Sequence, residues 1–230
     1  MRPPRNQILR QPRNLPKTQI EQEIHLILRQ HKIQVSARQL KLFAIFYECL
    51  KASNRALNLT RIHSLEGIVV KHFIDSIFIR RLAWFPKELM DVGSGAGFPG
   101  IPLKIMDPQL KLTLVEPVKR RVDFLKAVRT QLKLNDVKII GKKLGPDFEY
   151  PAAGIITRAF KSVEDTLEAA LTCIKPGGRV FFMKGSGVKE DFKHISPKIK
   201  TLYSLASDTE YCLPGTHHVR RLVIFERESD

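Results

Sequence analysis

The stretch LMDVGSGAGFPG, residues 89–100, decides how this chain folds. A short apolar run typical of a strand leads into a glycine-rich turn, and the turn leads into a helix whose first turn tolerates proline. Glycine in such a turn allows the backbone to approach a ligand closely. The turn reads G-x-G-x-G and has Phe98 where a dinucleotide fingerprint has its third glycine, which disfavours a nicotinamide cofactor.

An acidic residue follows the turn at an informative distance. Glu116 ends the next apolar run, 23 residues after Gly93, close to the ~20-residue offset at which an acid holds the hydroxyls of a ribose. A glycine turn alone would favour a purely structural interpretation, whereas the turn and the spaced acid together indicate a nucleoside-bearing cofactor. The predicted cofactor contacts are Gly93, Gly95, Gly97, Phe98 and Glu116.

Beyond Pro86, short apolar runs alternate with amphipathic helical patterns, which is typical of βαβ units on a parallel sheet. Five such runs fall at 89–92, 112–116, 137–140, 155–157 and 180–184. Two more, at 201–206 and 219–225, flank Pro214-Gly215 and predict an antiparallel hairpin. Residues 88–230 are therefore predicted to form a Rossmann-like α/β domain, a mostly parallel sheet that ends in that hairpin.

The N-terminal part has a different pattern and most of the positive charge. Residues 18–87 show helical periodicity, with capping boxes at Thr18 and Ser36, and predict a helical extension. Residues 1–17 are rich in Pro, Arg and Asn and predict a flexible basic arm, although a frayed terminus fits equally well. The formal net charge is +16, and residues 1–87 hold 16 basic and 5 acidic residues. This excess indicates a polyanionic partner.

Composition excludes several classes of protein. A chain of 230 residues that is 43% hydrophobic and 27% charged can bury a sizeable core, so disorder over most of its length is excluded. Cys49, Cys173 and Cys212 lie far apart, so neither a zinc ribbon nor a disulfide framework is indicated, and we expect no metal. No segment resembles a signal peptide or a membrane span. We therefore expect a cytoplasmic protein without a membrane partner.

Beside the turn and the spaced acid, the chain has several further short motifs in a fixed order and spacing. They are Asn58-Leu59-Thr60, His72-x-x-Asp75-Ser76, the turn with Pro99-Gly100-Ile101-Pro102-Leu103, Lys119-Arg120 before Phe124-Leu125, Thr157-Arg158-Ala159-Phe160, Pro176-Gly177-Gly178 and Lys184-Gly185. The turn and the acid resemble those of the class I S-adenosylmethionine-dependent methyltransferases, and the motifs together resemble one family among them, RsmG, also called GidB. The resemblance covers the whole chain past the arm, and its motifs are specific in this order and spacing.

This resemblance implies a class I methyltransferase fold and a bacterial enzyme that uses S-adenosyl-L-methionine to methylate N7 of one guanosine in 16S rRNA of the small ribosomal subunit. It also implies that Arg158 contacts the cofactor. The family commonly has an Ala-Glu or Val-Glu pair beside the adenine, and Lys143-Leu144 stands at that position here. Lys143 and Leu144 are therefore predicted as adenine contacts through their backbone atoms, whereas a side-chain carboxylate contact is not available.

The residues themselves limit which atom can accept the methyl group. The chain lacks the Pro-Pro-aromatic turn shared by amino-group methyltransferases. No cysteine is placed for attack on a pyrimidine ring, and Cys173 falls late in a predicted helix over 163–174. Guanine N7 has a lone pair and no proton to remove, so positioning suffices. Arg158, the predicted catalytic residue, could orient the methionine carboxylate or bond guanine O6.

Cations near the predicted cofactor site and in the arm are the expected RNA contacts. They are Arg2, Arg5, Arg10, Arg13, Lys119, Arg120 and Lys184. For Lys184, a strand-end side chain that merely reaches solvent is an equally good interpretation. A non-catalytic RNA-binding or ribosome-binding module with a nucleotide pocket fits the charge equally well, but the intact glycine turn and Glu116 favour the enzyme. A nicotinamide oxidoreductase is the third alternative.

Overall fold

The computed structural model of the protein describes residues 17–185 and 195–228. Almost all of the predicted basic arm lies outside these residues, as does the first part of a helical pattern that the sequence shows over 189–199. The helices are α1 (Lys17–Gln30), α2 (Ala37–Leu57), α3 (Leu65–Ile68), α4 (Asp75–Phe78), α5 (Gly100–Met106), α6 (Lys119–Gln131), α7 (Val163–Ala170) and α8 (Pro197–Leu202). The strands are β1 (Glu88–Val92), β2 (Lys111–Val115), β3 (Val137–Ile140), β4 (Ala152–Arg158), β5 (Ile174–Gly185), β6 (Tyr203–Cys212) and β7 (Val219–Arg227).

The N-terminal part is helical as predicted, and one of its two predicted capping boxes is present. The box predicted at Thr18 is wrong, because α1 already includes Lys17 and Thr18. The Ser36 hydroxyl accepts the Gln39 amide, while the Gln39 side chain accepts the Ser36 amide, which makes the expected capping box of α2. A π-helical segment (Val69–Ile74) separates α3 from α4, and a 3-10 turn (Ile79–Arg81) follows α4. Single-turn π segments occur frequently at functional sites. This one contains His72.

The sheet has the order β3-β2-β1-β4-β5-β7-β6, with β7 antiparallel to both of its neighbours. The predicted parallel sheet and its closing hairpin are therefore confirmed. The helix predicted over 163–174 is too long, because α7 ends at Ala170 and Cys173 lies in the turn before β5. Pro176 disfavours helical backbone in the residue before it, which limits how far a helix could continue.

The apolar core continues without interruption from the extension into the sheet domain. Phe73 packs against Phe43 and Phe46 with ring centroids 5.0 and 5.6 Å apart, and Phe98 packs on Phe46 at 5.2 Å. Offset and tilted aromatic pairs of this kind add to the stabilisation from buried area. The division of the chain at residue 88 thus stays a prediction, and side chains from before and after this residue pack in the same core.

Candidate active site

The glycine turn lies at the carboxyl end of β1, and its glycines serve different purposes. A Cβ atom on Gly97 would lie 2.3 Å from the Ile101 side chain, so this glycine allows close packing of the following helix. A Cβ on Gly95 would meet nothing nearer than a backbone oxygen at 3.8 Å. Gly95 has a φ of +57° and borders open space, where a bound group can reach the backbone.

The Glu116 carboxylate organises this turn from the end of β2. One oxygen accepts the Gly95 amide at 2.9 Å, and the other accepts the Val118 amide at 2.9 Å. The side chain is 3% exposed, and the Arg121 guanidinium lies 3.8 Å away. An ionised carboxylate has about four acceptor positions, so it can hold both amides and still accept ribose hydroxyls. The open space beside Gly95 and this buried acid fit a nucleoside-bearing cofactor.

Asp91 supports the same turn from behind. Its side chain is fully buried, and one carboxylate oxygen accepts the Gly100 amide at 2.8 Å, at the start of α5. Burial raises the pKa of Asp91 to about 7, because little around it solvates the charged form. Its hydrogen bond with Gly100 makes it a residue that holds the turn and helix together.

Arg158 ends β4 beside the glycine turn, but its guanidinium is bonded to the helical extension. One terminal nitrogen donates to Asp75 at 3.2 Å and to the Lys71 carbonyl at 3.3 Å. The guanidinium also lies 5.0 Å from the centre of the Phe98 ring. The side chain is 17% exposed, and Arg220 lies 3.3 Å from the second Asp75 oxygen. Two cations from the sheet domain therefore converge on one buried carboxylate of the extension.

His72 fixes the other side of the guanidinium. Arg158 donates to His72 Nδ1 at 3.1 Å, since a guanidinium has no acceptor, and the proton of the imidazole must then be on Nε2. That Nε2 donates to the Thr60 hydroxyl at 2.8 Å, and the ring stacks on Phe98 at 4.6 Å. Burial and the Arg158 charge lower the pKa of His72 to about 3, so the ring is neutral near pH 7.

The network reaches one residue further, to Asn54. The Asn54 side chain accepts the Thr60 amide at 2.8 Å and donates to the Thr60 carbonyl at 2.9 Å. The segments around Thr60, His72 and Arg158 are motifs that the sequence singled out, and the structure brings all three together. That these three segments contact one another was not predicted from the sequence. The signal that could have indicated it is that all three belong to one family pattern.

The other predicted site residues lie in varied surroundings. The Phe98 ring is buried and faces the extension, so only its backbone is left to contact a cofactor. Leu144 is 2% exposed and packs in the core, whereas Lys143 is exposed. Their assignment as adenine contacts therefore rests on backbone atoms and stays a prediction.

The predicted RNA contacts are placed only in part. Lys119 and Arg120 are exposed in the first turn of α6, close to Glu116 along the chain. The Lys184 ammonium donates to the Lys161 carbonyl at 3.1 Å, near the end of β5. The four arginines Arg2, Arg5, Arg10 and Arg13 lie outside the described residues.

Replacing Glu116 with alanine should weaken S-adenosylmethionine binding by about 1.5 to 3 kcal/mol, because charge-assisted hydrogen bonds to the ribose are lost. Two backbone amides also lose their acceptor. Isothermal titration calorimetry measures the change, and Glu116→Gln is the matched control because it keeps the shape while removing the charge. Unchanged affinity in folded Glu116→Ala would show that the acid has no contact with the cofactor.

The sheet order, the glycine turn after β1 and the acid at the end of β2 define a class I S-adenosylmethionine-dependent methyltransferase. A family model, GidB, described as rRNA small subunit methyltransferase G, matches residues 39–220. The chain belongs to the GidB family.

Curated relatives agree with this assignment. The chain is 42% identical over 193 residues to the ribosomal RNA small subunit methyltransferase G 2 of Bdellovibrio bacteriovorus, covering 84% of this chain and 76% of that protein. It is 33% identical over 199 residues to the ribosomal RNA small subunit methyltransferase G of Geobacter sp. (strain M21), covering 85% and 92%.

Solved structures share the fold. A methyltransferase from Pyrococcus furiosus is similar with a TM-score of 0.56 at 17% identity, covering 81% of this chain and 98% of that one. A ribosomal protein L11 methylase from Lactobacillus delbrueckii has a TM-score of 0.52 at 11% identity, covering 68% and 77%. Both confirm the predicted fold class.

Within the part of the chain that the structure describes, no helix is long and apolar enough to cross a membrane. The same residues contain no cluster of three or more His, Cys, Asp or Glu side chains arranged to hold a metal ion.

Proposed function

We propose that this protein transfers a methyl group from S-adenosylmethionine to N7 of a guanosine in 16S rRNA of the small ribosomal subunit, in the bacterial cytoplasm. Membership of the GidB family supports an rRNA substrate. The observation that carries the placement of the reaction is the position of Arg158, a guanidinium fixed at the carboxyl end of β4 beside the glycine turn. Ligands of open α/β sheets bind at this edge.

The cofactor, when bound, supplies an activated methyl group on a sulfonium. The open space beside Gly95 and the Glu116 carboxylate would hold its nucleoside part. Arg158 would orient either the carboxylate of the cofactor or O6 of the guanine, since a guanidinium can donate to both kinds of oxygen. Alignment of the two reacting groups then removes much of the entropic barrier.

The titratable groups near the turn suit an acceptor that has no proton to remove. His72 is neutral, but its Nδ1 accepts from Arg158 and its Nε2 donates to Thr60. Glu116 accepts two backbone amides, and Asp91 is buried behind the turn. None of these three is left as a general base, and guanine N7 needs none.

The RNA would approach the same edge of the sheet. Lys119 and Arg120 are exposed at the start of α6, next to the cofactor site, and we propose them and Lys184 as phosphate contacts. The arginines of residues 1–17 would add electrostatic attraction, since residues 1–87 hold most of the net charge.

Mass spectrometry of nucleosides tests the proposal directly. Incubation with S-adenosylmethionine and either deproteinised 16S rRNA or intact small subunits should yield 7-methylguanosine, because guanine N7 needs neither deprotonation nor covalent activation. Large-subunit rRNA serves as the control substrate and should stay unmodified. Detection of 6-methyladenosine or 5-methylcytidine would contradict the mechanism, and no product from either substrate would favour the non-catalytic RNA-binding module.

A further inference from the structure

The single tryptophan of the chain lies on the surface, at the end of the sheet opposite the candidate active site. Trp84 is 71% exposed and lies between the 3-10 turn and β1. One exposed aromatic side chain is unremarkable by itself. Three further features indicate that Trp84 belongs to a ligand site. They are the support of its backbone, the groove that it lines and the charges beside it.

The backbone next to Trp84 is firmly held. The Phe85 ring packs on Phe181 with centroids 4.6 Å apart. Pro86 lies so close to β4 that a Cβ atom on Gly154 would be 2.6 Å from its ring. Because its neighbours are anchored, Trp84 projects outward from fixed backbone, and a ligand that stacks on it would lose little free energy to ordering of the protein.

Trp84 lines a groove of about 570 Å³ that crosses the amino ends of β1 and β2. The loop between α5 and β2 forms the opposite wall. The buried Lys104 ammonium holds this loop by donating to the carbonyls of Pro108 and Leu110, at 2.8 and 2.6 Å. Both walls of the groove are therefore fixed by contacts within the chain.

The charges along the groove favour an anionic occupant. Arg80 and Lys87 are exposed at its edge, and no carboxylate within residues 17–185 and 195–228 forms an ion pair with either. Glu88 is neutralised by Lys111 at 2.8 Å. Asp107, the other acid of the groove, accepts a backbone amide of its own loop. Two cations that form no ion pair with the described residues thus flank an exposed indole.

We infer that this groove, which we call the Trp84 groove, binds single-stranded RNA. A base would stack on the indole while Arg80 and Lys87 contact phosphates, the combination by which proteins bind unpaired strands. The inference rests on the proposed function in that RNA is the substrate. The five residues of β1 separate the groove from the glycine turn by about 13 Å. The groove therefore holds a part of the RNA other than the methylated nucleotide.

Intrinsic fluorescence tests the inference, because Trp84 is the only tryptophan. A single-stranded RNA dodecamer of mixed sequence should quench the emission of the full-length protein as it binds. A duplex of the same sequence is the control, since its bases are already stacked, and it should quench much less. Binding of the dodecamer, followed by fluorescence anisotropy of a label, without any change in Trp84 emission would refute the groove, as would a lack of binding.

Two variants extend the test to turnover. Trp84→Ala should raise the KM for 16S rRNA about 5- to 150-fold, the range that corresponds to loss of one stacked base, with kcat unchanged. Trp84→Phe keeps a stacking surface and should stay within about threefold of the original KM. An unchanged KM in Trp84→Ala overturns the inference. A defect that appears with intact small subunits and not with deproteinised rRNA overturns it too, in favour of a protein contact.

The two proposals fail separately in these experiments. Quenching by the dodecamer without any methylated nucleoside would leave the Trp84 groove standing and refute the proposed function. Production of 7-methylguanosine with no quenching and no change of KM in Trp84→Ala would refute the groove alone. Affinity for S-adenosylmethionine should be the same in all three proteins, which confirms that the variants are folded.

Discussion

Arg158→Ala should lower methyl transfer by at least about 100-fold, the scale of loss that misplacement of reacting groups produces. The guanidinium is held on three sides, by Asp75, His72 and the Phe98 ring, so its direction at the end of β4 is fixed. Because we propose that this guanidinium orients the cofactor or the base, its loss should misplace the reacting groups. Single-turnover measurement at saturating substrates isolates kcat from binding.

Arg220→Ala is the matched control for this variant. Both arginines pair with Asp75, at 3.2 and 3.3 Å, so either substitution removes one partner of the same buried carboxylate. Only Arg158 lies at the end of β4 beside the glycine turn. Stability should fall in both variants because a buried charge loses a partner, but turnover should collapse only in Arg158→Ala. An equal loss of turnover in both would assign the effect to Asp75.

Alanine substitutions at two neighbouring glycines should affect different properties, namely stability at Gly97 and cofactor affinity at Gly95. Gly97→Ala should lower the free energy of unfolding by about 2 to 5 kcal/mol, since it adds left-handed backbone strain to overpacking. Its φ is +92°, and the new Cβ would lie 2.3 Å from Ile101. Gly95→Ala adds only the left-handed backbone strain, so this variant should fold. Its methyl group, however, would occupy the space left for the cofactor. S-adenosylmethionine affinity should fall at least about tenfold.

Urea denaturation and calorimetry on both variants separate the two effects. Each variant is the control for the other, because they make the same chemical change two residues apart. Wild-type affinity for S-adenosylmethionine in Gly95→Ala would mean that the turn is not the cofactor site. Wild-type stability in Gly97→Ala would mean that α5 can shift to make room.

Much of the fold was predictable because its signals are local. The glycine turn, the capping box at Ser36 and the apolar runs of the sheet each depend on a few neighbouring residues. The end of α7 was misplaced because a helical pattern continues past Ala170, whereas in the structure the Leu171 carbonyl accepts a hydrogen bond from Arg227, 56 positions away in the chain. Periodicity describes one segment at a time.

The candidate site was predictable in composition and not in arrangement. Glu116 was found from its spacing to Gly93, but its bonds to the amides of Gly95 and Val118 depend on how the two strand ends meet. Arg158 was found from its motif, whereas its ties to Asp75 and His72 join residues more than 80 positions apart. No local pattern specifies such contacts, nor that the Phe98 ring faces the extension, and the assignment of Phe98 as a cofactor contact stays a prediction.

The bond between Arg158 and Asp75 also limits how this enzyme can be recombined. The carboxylate belongs to the helical extension and the guanidinium to the sheet, so the extension contributes to the candidate active site rather than being an appended module. A chimera that took its helices from one homologue and its sheet from another would have to carry both charges and the Phe98 ring between them. Exposed positions such as Trp84 can change without disturbing that seam.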